Sequence, residues 1–227
     1  IDILVTPLVT IGSGVAVSAL LAPTLGAIAM KVGDLIMLAT NLQPFWMGIA
    51  VSVLVGVALT LPISSAAICA AFGLTGLAGG AAVAGCCAQM VGFAVMSFRE
   101  NKWGGLVSQG IGTSMLQMGN IIKNPRIWIA PIVTSAITGP LATCLFKLQM
   151  NGTPVSSGMG TCGLVGQIGV YTGWMNDIEA GTKSAVTAID WIGLILISFV
   201  LPAVLCPLIN MVVRKLGWVK DGDMTLS

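Results

Sequence analysis

Gly152–Trp174 reads GTPVSSGMGTCGLVGQIGVYTGW, and what this stretch can be constrains the rest of the chain. It lies between two long apolar runs, yet it holds seven glycines, two adjacent serines and a glutamine. Glycines at 160, 163, 166 and 169 recur at every third position, a spacing that does not keep to one face of a 3.6-period helix. Such a stretch is a poor free-standing transmembrane helix, and it has too few charges for an ordinary solvated loop. Irregular backbone at membrane depth persists only where protein buries it or where it lines a cavity. The expectation is a re-entrant loop that helps to build a substrate site.

Composition sets the surroundings of that loop. Hydrophobic residues make up 56% of the 227-residue chain and charged residues 8%, with a mean hydropathy of +0.98. Soluble domains carry about a quarter charged residues, so this chain is an integral membrane protein with room for several spans of roughly 20 residues. A net charge of +2 gives no nucleic-acid footprint. Histidine is absent, which removes the commonest proton shuttle and metal ligand. The six cysteines include no CxxC pair and read as packing thiols in apolar surroundings, so no metal site and no cofactor is expected. No basic n-region of a signal peptide precedes the first apolar run.

Outward from the glycine-rich stretch, the chain divides into spans. The first run is expected to cross up to about Ala22. Beyond Pro23 it would continue as an interfacial helix, with Leu25, Ile28, Val32 and Ile36 at helical spacing. Phe45–Leu61, Ala81–Phe98, Ile127–Phe146 and Trp191–Val213 are the further spans. Pro62–Gly80 repeats the grammar of the later stretch: Pro62-Ile63-Ser64-Ser65, Cys69 and Gly73-Leu74-Thr75-Gly76 against Pro154-Val155-Ser156-Ser157, Cys162 and Gly163-Leu164-Val165-Gly166. Paired, interrupted hydrophobic segments point to a transporter's binding site. Gly104–Ile122 carries an apolar stripe (Leu106, Ile111, Met115, Met118, Ile122) and an uncharged polar one (Gln109, Thr113, Gln117, Asn120). It is an amphipathic connecting helix, either interfacial or walling a cavity. The fold class is therefore all-α and polytopic, with about five spanning helices, two re-entrant hairpins and that connector, in one membrane domain over 1–227.

Orientation follows from counting charges, with both hairpins dipping in and returning to one side. One face then collects Lys31, Arg99, Lys102, Lys123, Arg126, Arg214, Lys215 and Lys220, the other Lys147 and Lys183. The positive-inside rule puts the C-terminus in the cytoplasm, both hairpins on the outer side and Ile1 outside. No carboxylate lies well inside a span or hairpin, where it would cost about 2.5–3.5 kcal/mol on insertion scales. What remains is neutral polar chemistry: Ser64, Ser65, Thr75, Gln89, Ser156, Ser157, Thr161 and Gln167. Backbone N–H groups exposed at Gly76, Gly163 and Gly166 complete the candidate set for a small polar solute. The alternative is that these hydroxyls bond back to their own helices and the glycines serve packing. No catalytic residue emerges: a P-loop, an HExxH motif and a Ser-His-Asp triad are all missing.

The run LQPFWMGIAVSVLVGVALTLPISSAAICAAFGLTGLAGGAAVAG, followed by SFRENKWGGLVSQG, KNPRIW and NGTPVSSGMGTCGLVGQIG, resembles the IIC membrane components of the sugar phosphotransferase system, and within them the perfringolysin O regulator-like branch. The resemblance covers nearly the whole chain. It implies a helical permease of the bacterial cytoplasmic membrane with two re-entrant hairpins, a substrate held between them, alternating access, a homodimer and a separate cytosolic IIB protein. It also implies further N-terminal helices, so that this chain corresponds to the C-terminal portion of the family fold. Sugar-transporting members use a hairpin Glu and often a His, whereas here Glu100 and Glu179 lie outside both hairpins. Two other functions suit the same features: a membrane sensor or regulator on a transporter fold, and a helical subunit of a larger membrane complex.

Overall fold

The computed structural model describes residues 2–226, with side chains over 9–226 apart from positions 20, 22, 24, 25 and 29. Its helices are α1 (Asp2–Thr40), α2 (Pro44–Thr60), α3 (Ser65–Ala71), α4 (Gly76–Met96), α5 (Phe98–Val107), α6 (Met118–Lys123), α7 (Ile129–Pro140), α8 (Pro154–Ser157), α9 (Val165–Glu179), α10 (Ala188–Ile195) and α11 (Leu201–Lys215). A π-turn over Leu141–Leu145 extends α7, and another over Leu196–Val200 joins α10 to α11. Pro140 and Pro202 sit beside these turns, where the missing N–H breaks the ordinary hydrogen-bond ladder. Three helical stretches are long and apolar enough to cross a membrane, Gly76–Met96, Pro125–Leu145 and Ala188–Lys215, and Pro44–Thr60 is a shorter apolar helix. The protein is an all-α polytopic membrane protein. Among the described residues, β-type pairing is confined to an isolated antiparallel bridge between Gly76 and Met150.

Helix α4 is the axis of the bundle, with 89% of its apolar window buried. Small residues let its neighbours approach backbone to backbone, the packing that membrane helices need in the absence of a hydrophobic driving force between them. A Cβ on Gly85 would overlap the carbonyl oxygen of Ser52 in α2, and one on Gly56 would come 2.8 Å from the oxygen of Gly85. Register shows direction. Ser52 meets Gly85 and Thr60 meets Gln89, so α2 and α4 run the same way. Ser52 donates to the carbonyl of Ser135 at 2.7 Å, Gly48 adjoins Gly139, and Pro131 lies by Gly92, so α7 runs oppositely to both. Cys206 of α11 packs on Gly92 and Val213 clusters with Phe93 and Met96, so α11 runs with α4.

Two expectations change. Helix α1 is continuous from Asp2 to Thr40 and does not break at Pro23, because the periodic apolar residues on either side of that proline extend one helix. Its last turns place Ile36 and Ala39 against Met47 in the core, so Thr40 ends beside the start of α2. Since α2 then runs parallel to α4, the intervening Leu61–Thr75 carries the chain back across the bundle and does not dip and return to one side. The two differences offset each other in the number of traversals that precede α4. Seven of the ten Lys and Arg residues, Arg99, Lys102, Lys123, Arg126, Arg214, Lys215 and Lys220, gather at the end where α4 and α11 finish. Lys31, on the last turns of α1, belongs with Lys147 and Lys183 in the other half, which makes seven against three. Ile1 lies outside the described residues.

The connector is not a single helix over Gly104–Ile122. It breaks into α5, a π-turn over Ser108–Gly112, a 3₁₀ turn over Ser114–Gln117 and α6, at a glycine-rich point that Thr113 caps through Met115 N–H. Its apolar side faces outward at Ile111 and Ile122. On its polar side Thr113 borders a cavity, while the amides bond one another and the end of the chain. Gln109 donates to Ser97, Gln117 to Gln109, and Asn120 to Gln117, each at 2.9 Å. Gln117 and Asn120 also donate to the carbonyls of Met224 and Thr225, and Asn101 bonds both Met224 and Leu226. The amide stripe is thus a cradle for the chain's own C-terminal tail, which buries Met224 completely.

Gly85→Val forces backbone apart at the α2–α4 crossing and is expected to destabilise the fold by about 1–3 kcal/mol or more, read as a lowered unfolding temperature in detergent. The tail has its own test. Asp223 accepts from Lys220 N–H and from Asn124, both at 2.8 Å. The bond from Lys220 N–H, against the opposing effect of burial, and then Asn124 and the charges of Lys220 and Arg214, hold its carboxyl below 3.8. A depressed carboxylate stabilises above its unfolded value, about 3.9, and that support is lost as pH falls through the folded value. Limited proteolysis is therefore expected to leave the tail protected at pH 5, to cut it below about pH 4, and to cut Asp223→Ala already at pH 7.

Candidate functional site between two opposed hairpins

Both interrupted segments fold as a short arm, a tight turn and a long helical arm, which is what their shared grammar encodes. In the first, α3 is the short arm and α4 the long one; in the second, α8 and α9. The GLxG of each copy is the turn: Gly73 has φ +62 and Gly163 φ +52, the left-handed region that glycine enters freely. Leu164 follows at φ 59, so two consecutive left-handed residues make the tip of the second hairpin. The copies differ in register. Ser64 caps the start of α3 by accepting from Ala67 N–H at 3.2 Å, whereas Ser156 and Ser157 end α8.

The glycine periodicity of the second segment also resolves. From Val165 onward it is a regular 15-residue helix, and Gly166, Gly169 and Gly173 form the side of α9 that takes the incoming chain. A Cβ at Gly166 would meet Gly160, at Gly169 Ser156, and at Gly173 the backbone of Asn151 and Gly152. The loop expectation therefore holds for Gly152–Leu164 and gives way to helix beyond it, because a glycine face allows an extended strand of backbone to pack on it directly.

The hairpins enter from opposite ends and overlap. Ser65 Oγ donates to the carbonyl of Gly158 at 2.8 Å, and Gly158 is pressed against the backbone of Ser65. Thr161 donates to the carbonyl of Gly110 at 2.6 Å, tying the second tip to the connector. Beside these contacts is a cavity of about 300 Å³. From the first hairpin Pro62, Ser64 and Ser65 line it, from the second Met159 and Cys162, and from the connector Thr113. No Asp, Glu, Lys or Arg is among its lining residues.

Of the sequence-derived candidates, Ser64 and Ser65 reach this cavity. Ser157 donates to Pro154 O at 2.7 Å and Ser156 shares a hydrogen bond with Thr153, so both hydroxyls are occupied in shaping α8. Thr161 is fully buried in its tie to Gly110. Gly163 is exposed at the tip and Gly166 is buried against Gly160. Thr75 and Gly76 lie at the start of α4, where Gly76 bridges to Met150, at the opposite end of the bundle. Gln89 and Gln167 stand on different sides of α4. Gln89 Oε1 accepts from Trp128 Nε1 at 2.8 Å and from Thr60, while Gln167 reaches Cys87 Sγ at 3.2 Å. Among the described residues, each keeps one buried amide atom without a partner, Gln89 Nε2 and Gln167 Oε1. The structure does not bring them to one site.

Sequence reasoning missed two features. Met159 of the second hairpin lines the cavity and was not among the candidates, whereas Thr113 lines it from the polar stripe that was expected either at the interface or walling a cavity. At the far end, a polar recess of about 460 Å³ is lined by Lys147, Asn151, Trp174, Asp177, Lys183 and Asp190 among others. Asn151 donates to both oxygens of Asp177, at 3.0 and 2.9 Å, and Lys183 pairs with Asp190 at 2.9 Å. The cluster of charges at 177–190 was its only signal.

The family model described as "Phosphotransferase system, EIIC" matches residues 1–226. The chain belongs to that family. It is a sugar-specific phosphotransferase-system permease component of the bacterial cytoplasmic membrane, a class that works with a separate IIB protein. No curated protein and no solved structure shows significant similarity to the chain.

The strained tip gives a direct test. A non-glycine residue in the left-handed region costs about 1–2 kcal/mol. Leu164→Gly is thus expected to raise the unfolding temperature of the EIIC protein, whereas Gly163→Ala lowers it; a thermal-shift assay in detergent reads both.

Proposed function

We propose that this EIIC protein binds a small polar solute of the sugar class in the inter-hairpin cavity and translocates it by alternating access, as a homodimer whose C-terminus is cytoplasmic. The observation that carries this reading is the cavity itself, which is bounded by both hairpins. It lies beside the Ser65–Gly158 contact, next to the end of α2 and the connector. With the cation-rich end in the cytoplasm, as the positive-inside rule would have it, a cavity open at that end would correspond to an inward-facing state. Ser64, Ser65 and Thr113 would meet the solute's hydroxyls. Ser156, Ser157, Thr161, Gly163 and Gly166 would set the shape and position of the second hairpin. For access to switch, the tie from Thr161 to Gly110 must break and the hairpins must slide past each other.

With no acid or base along the cavity wall, activation of a solute hydroxyl would fall to the IIB partner at the cytoplasmic mouth. The same lack favours a second reading, a solute sensor on the permease fold.

Cys162 lines the cavity and is partly accessible; Cys144 is exposed and the other four cysteines are buried. In a Cys144→Ser background, maleimide labelling of Cys162 is expected to be blocked by the sugar that the protein takes up in proteoliposomes. Uptake with unprotected Cys162 would displace the site from the hairpins. Protection without uptake, with or without IIB, would favour the sensor.

A further inference from the structure

We infer that the groove between the last turns of α4 and α11 is a binding site for an anionic glycerophospholipid. Its volume is about 360 Å³, and it has two chemically distinct levels. The lower level is apolar, with Val95 and Met96 from α4 and Pro207 and Met211 from α11. The upper level is cationic, with Arg99, Arg214 and Lys215. Helical spacing produces this order on α11. Pro207, Met211 and Lys215 are spaced four apart on one face of α11; across the groove Val95 and Met96 end α4, and Arg99 follows in the first turn of α5. Because α4 and α11 run the same way, both cations arrive at the same end.

The charges divide into used and unused. Arg214 is taken by Glu100, at 2.9 Å, and by Asp221. Among the described residues Arg99 and Lys215 have no ion-pair partner, and both are exposed. Between the two levels lies Asn210, which is 5% exposed and makes no side-chain hydrogen bond among the described residues. Its amide opens into the groove at the depth where a lipid's glycerol esters would supply acceptors.

This arrangement identifies the occupant. Basic pockets between spans at a membrane surface select lipids with anionic headgroups. A free phosphate would satisfy the cations but leave Met211, which is 51% exposed, and the apolar floor against nothing. An acidic protein surface would meet the cations without reaching a floor made by the membrane-spanning turns of α4 and α11. A phospholipid with its phosphate at Arg99 and Lys215, its esters at Asn210 and an acyl chain over Met211 satisfies all three. The site is separate from the inter-hairpin cavity and stands whatever solute that cavity takes.

The test is native mass spectrometry of the intact protein, purified in mild detergent and given equal amounts of phosphatidylglycerol and phosphatidylcholine. Phosphatidylglycerol is expected to be retained preferentially. Each surface cation contributes about a fivefold effect, so Arg99→Gln should reduce retention by that factor and Arg99→Gln with Lys215→Gln by about 25-fold. Met211→Trp keeps both cations and fills the floor, and it should displace the lipid as well. Lys123→Gln with Arg126→Gln, at the same end of the bundle, should change nothing. Equal retention of the two lipids would overturn the site, as would loss in the Lys123/Arg126 variant equal to that in the Arg99/Lys215 variant. Full displacement by millimolar inorganic phosphate would make it an anion site only. If the double variant does not fold, Met211→Trp decides alone: unchanged phosphatidylglycerol retention would refute occupation of the groove.

Discussion

Backbone laid directly on backbone is the constraint from which this structure follows. In a bilayer, apolar side chains gain little by leaving lipid for each other, so helices associate through close contact and hydrogen bonding. Gly85 of α4 sits on Ser52 of α2, and Gly139 of α7 sits on Gly48 of α2. At these distances a serine hydroxyl can cross to the next helix, as Ser52 does to the carbonyl of Ser135. The same contact type builds the second hairpin, where the glycine face of α9 receives the backbone of Asn151–Gly160. Residues that look like weak points in a helix are the ones that let it be buried.

That tight packing sets the terms for function. The polar side chains of the two hairpins are mostly occupied in holding short helices, turns and the connector in place, and few face open space. What distinguishes the cavity is therefore less a concentration of polar groups than its position, between elements that enter from opposite ends and meet beside it at Ser65 on Gly158, with further contacts at Gly160 on Cys86 and Gln167 on Cys87. The Ser65–Gly158 bond by itself contributes only about 0.5–1.5 kcal/mol. The connector's amide ladder is the opposite case. Its bonds to the C-terminal tail are numerous and buried, and they make that end of the bundle a fixed frame.

The spans were legible because their lengths and apolarity are properties of consecutive residues. Pro44–Thr60, Gly76–Met96, Pro125–Leu145 and Ala188–Lys215 lie close to the expected limits. Direction was not legible in the first half. Nothing local to Leu61–Thr75 states whether it returns to its own side or crosses, and only the register of Ser52 on Gly85 and Thr60 on Gln89 decides it. The polar stripe of Gln109, Thr113, Gln117 and Asn120 was visible as a stripe, but its main partner is the tail around Met224, more than a hundred residues away.

By itself, then, the amino-acid sequence determined an all-α membrane protein of the EIIC family, two interrupted segments with a common turn motif, and a strong bias of positive charge to one end. Those are consequences of composition, spacing and short motifs, which act over a few residues. The tertiary structure decided that the segments enter from opposite ends, that Ser64 and Ser65 reach a shared cavity while Gln89 and Gln167 bond different partners on different sides of α4, and that Gly166, Gly169 and Gly173 are a packing face. The physical reason is that a glycine or a serine carries no mark of its partner. Gly152–Trp174 holds its meaning in what lies against it, and that is set by parts of the chain far away in sequence.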